Sequence, residues 1–354
     1  MIKKTITLIT LVFALVLLPG FFKLPFQCGG IRDAGVFKSS DGGETWQQKV
    51  KIDKRHSIAS INVLTLTVDP SNPETLYLGA RENGVFKSSD GGETWQKIED
   101  ENEVLSGRAN IYQVTVDPKN SNNIYAAGYQ ENQGRLFKSS DGGQSWKEVY
   151  VVSEEKYAVF SVSVDPYESQ IVYMGTAQGG FLQSMDFGES WRTIDWFKGV
   201  INKIVINPKN TQVIYLSTFK KGVYKTVDKG LTWQGLEDIK RFRQAEQVES
   251  LVIDPNNSNI LYLGSAAGLL KTTDGGQSWQ RVNIITPAES LPILSIVIDP
   301  SNSQIIYFGA GQSVYKTIDN GEHWIIKRLS TAKTAKALAI DPKNPINVYV
   351  GIHK

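Results

Sequence analysis

Apolar and polar residues alternate in short runs along most of this chain, and each run ends in a cluster of Gly, Pro, Asn or Asp. The segment "LTLTVDPSNPETLYLG" (64–79) is typical: a period-two run, an Asp-Pro turn, then an aliphatic stretch around a tyrosine. Period two sends alternate side chains to opposite faces of a strand, and the turn-residue clusters mark hairpins. No stretch of useful length carries a helical period. The pattern predicts an all-β fold.

The runs recur in a fixed order. The first type closes at Asp69-Pro70, Asp117-Pro118, Asp165-Pro166, Asn207-Pro208, Asp254-Pro255, Asp299-Pro300 and Asp341-Pro342. Each is followed by a tyrosine: Tyr77, Tyr125, Tyr173, Tyr215, Tyr262, Tyr307 or Tyr349. Interleaved is a box, Ser/Thr-x-Asp-x-Gly-x-x-Trp, in seven copies whose tryptophans lie 42 to 51 residues apart. The stretch "GVFKSSDGGETWQ" is identical at 35–47 and 84–96. Such intervals are those of propeller blades.

Each unit supplies four strands: the run before Asp-Pro, the tyrosine strand, the "GVFKS" strand and one beginning at the tryptophan. Seven units predict a seven-bladed β-propeller of four-stranded blades. The described repeat begins with strands three and four (35–47) and ends with strands one and two, "ALAIDPKNPINVYVGIHK". One blade is therefore expected to be shared between N- and C-terminal strands, within a propeller spanning 31–354.

The repeated residues read as scaffold. The box aspartates Asp41, Asp90, Asp141, Asp186, Asp228, Asp274 and Asp319 stand two positions after a hydroxyl in a Gly-rich hairpin, where a carboxylate holds backbone N–H groups. The box tryptophans Trp46, Trp95, Trp146, Trp191, Trp233, Trp279 and Trp324 are expected to pack between blades. One carboxylate per loop is too few for calcium, which takes about six to eight oxygens.

Composition narrows the function classes. A net charge of +2 without a long basic run offers no nucleic-acid footprint. His56, His323 and His353 are scattered, so no metal site or other cofactor is expected. The start of the chain departs from the rest: Lys3 and Lys4 precede an apolar run from Ile6 to Phe22, which reads as a signal peptide or N-terminal membrane anchor within 1–30. Cys28, before Gly29-Gly30, is a candidate lipidation site, although Phe26 and Gln27 stand where a small residue is usual. Anchoring, lipidation and cleavage all place the remainder outside the cytoplasm, with membrane contact through this segment only.

The boxes and the Asp-Pro…Tyr-x-Gly spacing resemble the Asp-box, or BNR-repeat, β-propellers. They look most like sortilin-type receptors and xyloglucan-degrading glycosidases, with the photosystem II stability/assembly factors as a smaller single-propeller relative. The resemblance implies that the box is structural and lies away from the ligand face. It also puts the chain in the wider sialidase superfamily, although the Phe-Arg-Ile-Pro segment of sialidases is absent.

The variable loops, opposite the Asp-Pro turns and boxes, are the place to seek a site. There the sequence offers Trp196 and Phe197, Phe219 with Lys220 and Lys221, the group Arg241, Phe242 and Arg243, and Tyr129; Arg55 and His56 add a further loop. The three groups at 196–197, 219–221 and 241–243 belong to consecutive blades and are expected to form one aromatic-basic patch. The expected function is a non-enzymatic scaffold binding an envelope or membrane protein. A carbohydrate ligand is the alternative, or a glycoside hydrolase drawing its paired carboxylates from Asp195, Glu237 and Asp238.

Overall fold

Seven four-stranded antiparallel sheets stand around one axis in this computed structural model, which describes residues 33–284 and 290–354. Residues 1–30, with the expected signal or anchor and Cys28, lie outside the described residues. Blade 1 contains Val63–Val68, Leu76–Ala80, Val85–Ser88 and Gln96–Lys97. Blades 2 to 6 span 110–151, 159–196, 201–235, 248–281 and 295–328. Blade 7 joins Thr334–Ile340 and Val348–His353 to Gly35–Ser39 and Gln47–Gln48, so the two ends of the described chain share one sheet. In the closing pair, Phe37 lies opposite Val350.

The first strand of every blade neighbours the first strands of the adjacent blades, so these strands line the channel and the fourth strands form the outer rim. Polar positions of the period-two runs serve that wall: the Thr67 hydroxyl donates to the Val114 carbonyl of the next blade at 2.7 Å, and Thr115 to Val162 at 2.9 Å. The tryptophan ends the box hairpin, and the fourth strand starts one residue later than the pattern predicts. A 3-10 turn, Glu237–Arg241, interrupts the connection from blade 4 to blade 5.

Asp-Pro turns and boxes share one face in every blade. The Gly91 amide donates to the Glu74 carbonyl, and equivalent box-to-turn bonds join Gly42 to Ile346, Gly142 to Asn122, Phe187 to Gln170, Lys229 to Gln212, Gly275 to Asn259 and Asn320 to Gln304. Within a box the Asp41 carboxylate accepts from the Thr45 amide (2.9 Å) and from the Thr45 and Ser39 hydroxyls (2.6 and 2.7 Å). These bonds, the Thr45 hydroxyl foremost, hold the Asp41 carboxyl down at about 2. The box aspartates are thus committed to their own hairpins.

Seams between blades use the rest of the repeat. Tyr77 donates to the Gly142 carbonyl of the next box at 3.3 Å, and Tyr307 to Gly42 at 2.9 Å. Glycine two residues after the tyrosine lets the next blade approach: a Cβ on Gly351 would stand 2.4 Å from Cγ1 of Val63. Glu44, Glu93 and Glu189 in three boxes each bridge two lysines of the preceding blade. At the closure, Asp33 accepts from the Ala332 amide (2.7 Å) and pairs with Lys333 at 3.0 Å.

Candidate functional site: the channel mouth

A slip in the period-two pattern builds the site. On each first strand, or just before it in blade 6, two buried residues stand three apart rather than two or four: Val63 and Leu66, Ile111 and Val114, Val159 and Val162, Ile201 and Ile204, Val248 and Leu251, Ile293 and Ile296, Ala335 and Leu338. Three residues can keep both ends on one face only if the strand bulges between them. Register shifts occur at that point in blades 1 to 5 and 7. The extra residue is Leu64, Tyr112, Phe160, Asn202, Glu249 or Lys336, with Leu294 at the equivalent position of blade 6, and each is half-buried. All seven sit just after the connection from the preceding blade, on the variable face.

Six of the seven line a depression of about 260 Å³ at the mouth, completed by Val200, Lys203 and Phe219. Leu294 lines a second hollow of about 230 Å³ that shares Leu64, Lys203, Glu249 and Lys336. The mouth is two-sided. Blades 1 to 3 supply Leu64, Tyr112 and Phe160, whose two rings lie 4.5 Å apart between centroids. Across from them Lys336 pairs with Glu249 at 3.2 Å. Lys203 stands beside this pair; burial, then the Lys336 charge, pull its ammonium down to about 8 against a smaller opposing pull from Glu249.

The residues picked out by sequence are scattered in radius. Phe219 lines the mouth. Tyr129, half-buried at the end of its strand, pairs with Asn110 beside it. Lys220 is exposed with its ammonium 5.4 Å above the Phe219 ring. Trp196 is 60% exposed but ends a fourth strand, on the outer rim. Phe197 is buried in the seam against Tyr224 and Trp233, at 4.9 and 5.2 Å between ring centroids, so it faces the core rather than a ligand.

The expected patch is therefore not contiguous. Arg241 donates to the Trp279 carbonyl of the next blade and pairs with Asp238 at 3.2 Å, while Asp238 accepts the Trp279 amide at 2.7 Å. The guanidinium groups of Arg241 and Arg281 stand over the Phe242 ring, at 4.7 and 5.8 Å from its centroid. This group fastens one blade to the next at the rim, and Arg243 is exposed beside it. Asp195 is exposed on the rim and accepts the Trp196 amide, and Glu237 pairs with Lys240. His56 bonds Asp53 within its own turn at 2.7 Å. Among the described residues, Asp319, Glu322 and His323 are close enough to share an ion, but Asp319 is already occupied by its box hairpin.

Comparison with known proteins fits this architecture. Residues 34–179 match the family described as Sortilin, neurotensin receptor 3, and residues 200–344 match Photosynthesis system II assembly factor YCF48. No curated protein matches. Among solved structures, the GH74 xyloglucanase from Xanthomonas campestris is 17% identical with a TM-score of 0.66, over 83% of this chain and 51% of that one. The GH74 enzyme from Niastella koreensis is 19% identical with a TM-score of 0.68, over 90% and 52%. YCF48 bound to D1 peptide is 13% identical with a TM-score of 0.63, over 83% and 94%. The chain spans about half the length of the GH74 structures it matches. With its seven boxes and seven blades, this chain is a BNR/Asp-box-type β-propeller. Its neighbours include both enzymes and assembly factors.

Proposed function

We propose that this propeller is an exported protein-binding or assembly scaffold that docks a segment of an envelope or membrane protein at the channel mouth. The observation that carries this reading is the ring of bulged residues. One repeat position, bulged in blades 1 to 5 and 7, presents side chains of varied chemistry at the end of the channel away from the boxes. A rigid frame with variable side chains suits recognition. The YCF48 structure with a D1 peptide gives a precedent for a peptide-binding propeller of this size. Export rests on the Lys3-Lys4 and apolar pattern at the start of the chain.

The test is capture from native envelope extract by the full chain, comparing wild type with Tyr112→Ala/Phe160→Ala and with Trp196→Ala. A partner retained by wild type and Trp196→Ala, and lost from the double variant, supports the reading. Capture indifferent to Tyr112 and Phe160 refutes it. The second reading, a carbohydrate ligand or glycoside hydrolysis, is favoured by the GH74 likeness and the aromatic wall. Hydrolysis ordinarily needs two carboxyl groups about 5–9.5 Å apart, whereas the residues lining the mouth include one, Glu249. Release of reducing ends from a polysaccharide, abolished by Glu249→Gln, would establish the enzyme instead.

A further inference from the structure

The charges at the mouth do not balance. Lys336 is matched by Glu249, but Lys203 makes no hydrogen bond or ion pair with any described residue. It lines, with Val200, Phe219 and the other residues of the mouth, a depression of about 260 Å³. Lys203 is half-buried, and a partly shielded cation with no protein acceptor keeps its donors available to a ligand. Two lysines against one carboxylate leave the polar side of the mouth one positive charge in excess. The opposite side is lined by the uncharged side chains of Leu64, Tyr112 and Phe160. A volume just below the range of about 300–1,000 Å³ typical of small-molecule sites holds one or two side chains rather than a folded surface.

Resting on the docking reading above, we propose that the occupant is an acidic–apolar segment of the partner protein. An internal Asp or Glu side chain sits on Lys203, and an adjacent apolar side chain lies against Tyr112 and Phe160. Charge complementarity selects the acid: a carboxylate supplies the missing acceptor and forms a charge-assisted hydrogen bond. The apolar neighbour covers the aromatic wall and excludes water from that bond. The lowered proton affinity of Lys203 is consistent with an ammonium awaiting an anion, which would restore it.

The test uses terminally blocked tetrapeptides, Ac-Phe-Glu-Leu-Ser-NH2 and its Gln and Lys versions, titrated against the full chain in detergent with labelled lysines followed by NMR. Blocking both ends leaves the side-chain carboxylate as the acid under test. The Glu peptide is expected to bind about tenfold more tightly than the Gln peptide, to outcompete the Lys version, and to raise the Lys203 titration midpoint. In Lys203→Met the preference should vanish while the Gln peptide binds as before; Lys203→Arg should retain it. Equal binding of Glu and Gln peptides, a preference that survives Lys203→Met, or no binding by any peptide overturns the proposal. In the partner-capture experiment, indifference to Lys203→Met with loss in Tyr112→Ala/Phe160→Ala would reject the acidic contact and leave the docking reading intact.

Discussion

Lys336 and Glu249 meet at 3.2 Å although 87 residues separate them and a whole blade stands between their strands. Both are bulge residues, and the bulges turn them toward each other over the mouth. Glu249 also acts on Lys203, whose ammonium it helps to hold protonated. Glu249→Gln should therefore move the Lys203 titration further below about 8, read by NMR of labelled lysines. An unmoved midpoint would mean that Glu249 does not act on Lys203.

Lys203 also sets an alkaline trend. Its proton is lost near 8 in the folded chain and near the ordinary 10.5 in the unfolded one. Between those values the unfolded state binds more protons, so this group makes stability rise with pH through that window. Lys203→Met should flatten the rise in urea unfolding series between pH 8 and 10.5. Parallel curves for the two proteins would refute the assignment.

In acid the boxes dominate. Asp41, Asp186, Asp228 and Asp274 are each held near 2 by hydroxyl and amide donors, against an ordinary 3.8. A depressed carboxyl contributes stability above its unfolded value and loses it as pH falls toward the folded one. Stability should thus drop steeply between about pH 4 and pH 2, and Asp228→Asn should make the drop shallower while lowering stability at neutral pH. An unchanged acid limb would show that the hairpin bonds do not contribute.

Blade seams depend on missing side chains. Gly351→Ala places a Cβ 2.4 Å from Val63 Cγ1 across the closing seam. Overpacking of this kind costs about 1–3 kcal/mol, measurable as a lower urea midpoint. Blades 2 and 4 already carry Ala127 and Ser217 at the equivalent position, so Ala127→Gly should give no gain of that size. A neutral Gly351→Ala would show that blades 7 and 1 sit less tightly than this packing implies.

Ring closure is tested by truncation. Removing residues 336–354 deletes nearly all of the two inner strands of blade 7 and leaves Gly35–Ser39 without its partner. The domain should lose its cooperative transition. A truncated protein with the full-length Tm would contradict closure through a shared blade.

Most of the fold was legible in the sequence because propeller geometry repeats itself. Each Asp-Pro, Tyr and box marks a turn or seam with its own hydrogen bond, such as Tyr77 to Gly142. The mouth was not, although its signal is present: a buried pair three residues apart on a strand, as in Val63 and Leu66, marks the bulge between them. Reading strict alternation hides that extra residue. Loop composition singled out Phe219, which lines the mouth, but it carries no radial information. Phe197 and Arg241 had the residue types of a binding surface, yet their chains turn into a seam and onto the rim.

The most direct measurement is photo-crosslinking in the native host from a benzophenone residue placed at Phe160, with a second at Ile325 on the outer strand of blade 6 as reference. A defined protein adduct from position 160, absent from position 325, is the result expected of a scaffold that docks its partner at the mouth. Adducts from position 325 alone, or a polysaccharide in place of a protein at position 160, would contradict it.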